Sequence, residues 1–128
     1  LDMSFVAEVD QVCNSAFEND VVAVKEAVSR HPEWKGSLSK ARDASILYTA
    51  SRAGHLDLVS FLVEEAGCDP NLQCGPKTNG STPLHGASFG GHAAIVRFLL
   101  DHGAKLLPNA FGLTPIQEST GECRDILQ

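Results

Sequence analysis

The chain has 128 residues and a formal net charge of −6, with 43% hydrophobic and 20% charged residues, the balance of a globular domain rather than a disordered one. That length suffices to bury a core without disulfides or metal, and the acidic balance argues against general nucleic-acid binding, which needs a basic footprint. No apolar run approaches the roughly 18 residues that a membrane helix requires.

Taken in chain order, the first helical pattern is Ala23, Val24, Ala27 and Val28, which His31-Pro32 ends because proline lacks an amide donor and restricts its predecessor. Trp34 follows, placed to cover the end of this first core, and residues 30–52 carry Arg30, Lys35, Lys40, Arg42 and Arg52 against Glu33 and Asp43. This basic zone on an acidic chain is either a solvated face or a surface that selects an acidic segment. Next come Ser45-Ile46-Leu47-Tyr48, then Gly54-His55, then an apolar stripe of Leu58, Val59, Phe61, Leu62 and Val63. The stripe reappears 37 residues later as Ile95, Val96, Phe98, Leu99 and Leu100, behind Gly80-Ser81-Thr82-Pro83-Leu84-His85 and Gly91-His92. Apolar residues at this spacing form a wide helical face that needs neighbours on both sides. The extra length between the copies is assigned to one residue in Glu64-Glu65-Ala66-Gly67 and about four in Cys74-Gly75-Pro76-Lys77, turn regions where lengthening costs little. A last copy opens 32 residues after Gly80 as Gly112-Leu113-Thr114-Pro115-Ile116-Gln117.

The punctuation has a physical reading. Thr82 caps a helix N-terminus and Pro83 takes its first position, where a missing donor is no loss; Thr114-Pro115 repeats the device, and Ser45-Ile46 keeps only the cap. Gly67 and Gly103 stand where left-handed C-terminal turns are wanted. Thr114 to Thr120 is expected to form a short first helix, and Gly121 to Leu127 a stub of the second.

Thr-Pro-Leu-His, Gly-His, Ile-Val, Leu-Leu and Gly-Ala at 82–104, with self-similarity at about 33 residues, resemble the ankyrin-repeat family over roughly residues 12–127. The resemblance implies an all-α solenoid of stacked antiparallel helix pairs with projecting β-hairpin loops. It gives about three full repeats plus a truncated C-terminal cap, with units at 9–40, 41–77, 78–109 and 110–128. It also implies a non-catalytic module that binds a partner protein or peptide on a concave face made of hairpin tips and first helices. Recruitment of a partner or substrate for a larger protein follows. The competing roles are the recognition arm of a multidomain enzyme, such as a ubiquitin ligase or kinase, and self-association. Leu1-Asp2 before Met3 and the abrupt Gln128 read as a module excised from a longer protein. Tyr48 and Gln117 depart from the motif histidine, and Asp43 from a glycine, so the 43–48 turn is expected to be less regular.

At 100° per residue, Leu84, Ala87, Ser88 and Gly91 share the buried face and Gly86, Phe89 and Gly90 point away. The same reading buries Val12, Ser15, Ala16 and Asn19 in the first unit, and Leu47, Ala50, Ser51 and Gly54 in the second. Phe17, Arg52 and Phe89 then hold one equivalent outward position, and aromatic and arginine side chains dominate binding hot spots. Phe17 has a second placement open to it, against Phe5 and Val6. The candidate partner-binding residues are Phe17, Arg42, Arg52, Lys77, Thr78, Asn79, Phe89 and Phe111, the last at a hairpin tip where it could equally fold over Leu113. An acidic or mixed acidic and apolar segment is the expected occupant. The domain is expected to be a cytoplasmic or nuclear monomer, with a homodimer as the alternative.

No metal or cofactor is expected. Cys68 and Cys74 form a C-x5-C pair with no downstream partner, and the four cysteines, scattered through the repeats, read as reduced thiols. His85 is read as structural, bonding to the next loop, and His55 and His92 as repeat residues. No phosphate loop, nucleophile elbow or paired-carboxylate arrangement is present. The resemblance marks Asn71 as a position hydroxylated in some members, with turn stabilisation as its competing role.

Overall fold

The computed structural model describes residues 3–128. Helices α1 (Met3–Phe17) and α2 (Val21–Arg30) form the first antiparallel pair, α3 (Ile46–Ala53) and α4 (Leu56–Ser60) the second, and α5 (Pro83–Phe89) and α6 (Ala93–Asp101) the third; α7 (Gly121–Leu127) ends the chain. The first helices stack along one side, with the α3–α5 contact the most extensive. Their shared face carries Ala50, Ser51, Ala87 and Ser88, all buried, and residues this small let helix backbones approach closely. Behind them, Val24, Val28, Leu58, Val59, Leu62, Ile95, Val96 and Leu99 from the second helices complete one continuous core, closed at its ends by Trp34 and by Cys123 and Leu127. The result is an all-α solenoid.

Three of the helix starts have a side-chain cap that the sequence supplies. The Asp20 side chain accepts from the Ala23 amide and Ser45 from that of Tyr48. Thr82 and His85 form a reciprocal capping box around Pro83, so two otherwise orphaned amides of α5 are satisfied. The left-handed turns expected at Gly67 and Gly103 are present, with φ of +76° and +92°.

The loops between units turn back as hairpins without forming strands. Among the described residues there is one isolated antiparallel bridge, Leu38–Ser45, and the loops close through Ser39 N to Ala44 O, Cys74 N to Ser81 O and Asn109 N to Leu113 O, each at 2.8 Å. Asp43 adopts the left-handed conformation (φ +52°) that a glycine would take more easily. The turn it opens is nonetheless ordered by its own carboxylate, whose Oδ2 accepts from the Lys77 amide at 3.0 Å.

Four expectations are corrected. The residue added near Glu64 lies inside the helix: α4 continues as a π-helical turn over Phe61–Glu65, with the Ala66 amide reaching back to Phe61 O at 3.0 Å. One extra residue in a packed helix is absorbed this way because the flanking core positions keep their facing. Residues Thr114 to Thr120 form a single turn at 115–118 and not a helix. Only seven positions separate Thr114 from the left-handed Gly121, against nine between Thr82 and the left-handed Gly91, too few for two helical turns plus an exit. Gly86 does not point away: it is buried, and a Cβ there would stand 3.0 Å from the Tyr48 ring. Asn19 and its third-unit counterpart Gly91 are exposed in left-handed C-terminal turns (φ +61° and +76°), outside the buried face.

Candidate functional site

The first helices and hairpin tips enclose a groove of about 540 Å³ lined by residues of all four units. Phe17, at the end of α1, stands at one end. Arg42, Lys77, Thr78 and Asn79 come from the first two hairpin tips, Arg52 and Phe89 from the last turns of α3 and α5, and Glu118 from the last turn of the chain. Seven of the eight residues singled out from sequence therefore share one groove; Phe111, 72% exposed on the last hairpin, is not among its lining residues. Phe17 and Phe89 remain 53% and 59% exposed. The side chains of Phe5 and Val6, the alternative packing partners of Phe17, lie outside the described residues.

Cations cover both rings. The Arg52 guanidinium lies 4.4 Å from the Phe89 centroid and that of Arg42 5.9 Å from the Phe17 centroid, within reach of the attraction between a cation and a ring face. Arg42, Arg52 and Lys77 make no ion pair with a carboxylate among the described residues. Tyr48 forms part of the wall; burial pushes its phenol above the ordinary value, opposed by the nearby Arg52 charge.

The rim is tied together by hydrogen bonds that run from α1 to the first hairpin and then from tip to tip. The Asp10 carboxylate accepts from the Lys40 amide (2.6 Å), Lys77 Nζ donates to Lys40 O (2.7 Å), and the Thr78 hydroxyl donates to Arg42 O. The Gly75 amide donates to Asp43 O and the Ala110 amide to Asn79 O, both at 2.9 Å. The hydroxyl of Thr78 and the ammonium of Lys77 thus serve the rim itself, and Asn79 holds a left-handed turn (φ +57°).

The histidines brace the same scaffold. His55 Nε2 donates to Phe17 O (2.6 Å) and His92 Nε2 to Arg52 O (3.0 Å), so α4 and α6 are each pinned at their start to the carbonyl of an outward-facing residue in the preceding unit. The His92 ring fits only because Gly54 and Gly90 lack side chains: a Cβ at either would approach it to 2.6 Å. His85 Nδ1 accepts from the Thr82 amide (3.1 Å) while Nε2 donates to Leu113 O (2.8 Å), linking the third unit to the fourth. Asn71 does the same for the second and third units, donating to Gly103 O (3.0 Å) and accepting from the Lys105 amide (2.8 Å). All four cysteines are free and buried; burial pushes the Cys13 thiol up to about 12 and those of Cys68 and Cys74 to about 11. Among the described residues no group of metal-ligating side chains converges, and no helix is long and apolar enough to cross a membrane.

Sequence reasoning did not single out Ala44, Tyr48, Thr49, Ser81, His85 or Glu118 as groove residues. Tyr48 had a signal in the sequence, an aromatic in place of the motif histidine with Gly86 free to receive its ring. Glu118 had none, because it reaches the groove from a segment expected to be helical.

Antiparallel helix pairs stacked in register, with hairpin tips tied from unit to unit, define a helical-repeat solenoid. The family model for ankyrin repeats (3 copies) matches residues 13–110 and 47–127, and the chain belongs to that family. It is 35% identical over 92 residues to the inactive serine/threonine-protein kinase TEX14 of Mus musculus, covering 66% of this chain and 6% of that protein. It is 47% identical over 60 residues to alpha-latrotoxin-Lh1a of Latrodectus hasselti, covering 47% of this chain and 4% of that protein. Over 60 residues it is 42% identical to the ankyrin repeat-containing protein ITN1 of Arabidopsis thaliana, covering 47% of this chain and 10% of that protein. The chain thus spans a tenth or less of the length of these relatives. Ankyrin repeats are generally protein–protein interaction modules and typically non-catalytic.

Proposed function

We propose that this chain is a non-catalytic recognition module that seats an extended segment of a partner protein in the groove between its first helices and hairpin tips. The observation that carries the reading is the pair of exposed phenylalanines, Phe17 and Phe89, each beneath a guanidinium with no carboxylate partner among the described residues. Aromatic and arginine side chains in a concave patch are the usual anchors of an interface. The tied rim favours binding further, because a surface already ordered loses little entropy when it is covered. The cations favour an acidic or mixed acidic and apolar segment. A larger protein using such a module to recruit a partner or substrate fits the short share of each relative that the chain matches, including a relative named as an inactive kinase. The domain itself is expected to be a monomer, in the cytoplasm or nucleus.

The test is titration of a captured partner against the wild type, Phe89→Ala and Arg52→Ala. Each substitution is expected to cost about 1–3 kcal/mol of binding with an unchanged circular-dichroism spectrum. A partner indifferent to both sinks the reading. Light scattering that gives a concentration-dependent dimer would transfer the exposed phenylalanines to self-association.

A further inference from the structure

The charges along the groove are ordered, and the order has a consequence for what fits. Its cations, Arg42, Arg52 and Lys77, come from the second unit and the hairpins on either side of it, whereas Glu118, the carboxylate among its lining residues, comes from the last turn of the chain. Asp10 lies in a separate cleft beyond Phe17 and Arg42, where it accepts from the Lys40 amide.

Glu118 is fixed apart from the cations. Its Oε1 accepts from Asn109 Nδ2 at 2.9 Å and stands 3.8 Å from His85 Nε2, with 21% of the side chain exposed. Asn109 is buried and accepts from the Phe111 and Leu113 amides, so the carboxylate is held by a rigid tip. Arg52 is held above Phe89. Tyr48 stands within the field of both: Arg52 favours its phenolate and Glu118 opposes it. Arg52, Tyr48 and Glu118 line the same groove, yet the two charges form no direct ion pair among the described residues.

We infer that the groove is bipolar and selects a protein segment carrying a carboxylate opposite Arg42 and Arg52 and a cation opposite Glu118, with an apolar side chain against Phe89 between them. This rests on the reading of the groove as a peptide site. Charge complementarity fixes the occupant: a uniformly acidic segment would set one of its carboxylates against Glu118, and like charges brought together oppose binding. A uniformly basic one would meet three cations.

The experiment is peptide display with random dodecamers against the folded domain, in parallel with Glu118→Gln, Glu118→Lys and Arg52→Glu. Glu118→Gln keeps an acceptor for Asn109 and removes only the charge, so it serves if the lysine variant unfolds. Wild type should enrich segments with an acidic and a basic residue separated by an apolar one. Glu118→Gln should erase the preference for the basic position, Glu118→Lys should replace it by an acidic one, and Arg52→Glu should erase or invert the acidic position. An enriched peptide should lose on the order of tenfold in affinity for Glu118→Gln, the scale of one well-placed charge contact. Uniformly acidic peptides selected by wild type and Glu118→Gln alike overturn the bipolar groove while leaving the peptide site intact. Failure to select any peptide whose binding falls with Phe89→Ala overturns the site itself.

Discussion

The third and fourth units begin with the same device and end differently. Thr82 and His85 bracket Pro83, and one unit later Gln117 Oε1 accepts from the Thr114 amide at 2.8 Å, the same reach from the same position around Pro115. Yet α5 runs two turns and packs against α3, while the fourth unit makes one turn and proceeds to α7. A cap starts a helix but does not sustain it. What sustains α5 is burial of Pro83 through Ser88 without interruption, consistent with most helical stability coming from tertiary packing. The fourth unit has two residues fewer before its left-handed glycine, and it leaves Gln117 and Thr120 exposed. In a stacked array each repeat is stabilised by its neighbours, so the central units should hold the free energy and the last should open first.

The largest effect that tests this contrast is a cavity. Leu99 is fully buried in α6, and Leu99→Ala is expected to destabilise the domain by about 2–5 kcal/mol in urea denaturation. Leu127→Ala, at the far edge of the last helix, should fall at or below the lower end of that range, because a site with fewer neighbours can collapse around the deletion. Equal losses at both positions would mean that the fourth unit is as cooperative as the third.

The inter-unit bonds come next. His85→Ala removes a buried side chain that caps α5 and donates to Leu113 O, and should cost about 1–3 kcal/mol, since the fully buried Thr82 amide is left without its acceptor. Gln117→Ala removes only a cap in an exposed turn, expected to cost about 0.5–1 kcal/mol. His85→Gln is the informative swap. The Thr82 amide keeps an acceptor, but the amide side chain cannot also reach Leu113, so rescue should be partial.

How much of this was legible in the sequence depended on whether a feature was local or periodic. The caps at Ser45 and Thr82, the left-handed glycines and the buried stripes of α4 and α6 follow from short-range chemistry, and each lies where the pattern put it. Phe17, Arg52 and Phe89 share a groove because one register sets all three. The π-helical turn was not legible, because a one-residue surplus shows in the alignment whether a loop or a helix absorbs it. Nor was Glu118, whose place depends on the fourth unit failing to form a helix, a matter of how many residues remain and not of their type. The rim bonds from Lys77 and Thr78 to the preceding hairpin join residues more than thirty positions apart, and no spacing rule announces them.

The thiols provide a smaller test of the same contrast. At pH 8 burial keeps Cys13, Cys68 and Cys74 protonated, well below their values of about 12, 11 and 11, and a thiol reacts as its thiolate. Iodoacetamide should therefore modify them only through opening. Cys123, on α7, should react about tenfold faster than the others if the last unit opens locally, a difference of about 1.4 kcal/mol in opening free energy. A common rate would indicate one cooperative opening. The raised values also set a sign: unfolded thiols ionise from about 9.0, so stability falls as pH climbs from there toward the folded values and is unaffected by these groups below.

The smallest expected effect lies in the first hairpin, where two opposing contributions nearly cancel. Asp43 pays for its left-handed backbone (φ +52°) with a carboxylate that accepts from the Lys77 amide at 3.0 Å. A non-glycine residue there costs on the order of 1 kcal/mol, and a net hydrogen bond contributes about 0.5–1.5 kcal/mol. Asp43→Gly removes both and should leave stability within about 0.5 kcal/mol of wild type, whereas Asp43→Ala keeps the strain, loses the bond and should cost about 1–2 kcal/mol. Denaturation of the two variants side by side separates the contributions. If Asp43→Gly were as damaging as Asp43→Ala, the Lys77 bond would outweigh the strain, and the tie between the first two hairpin tips would be the principal reason for an aspartate at this turn.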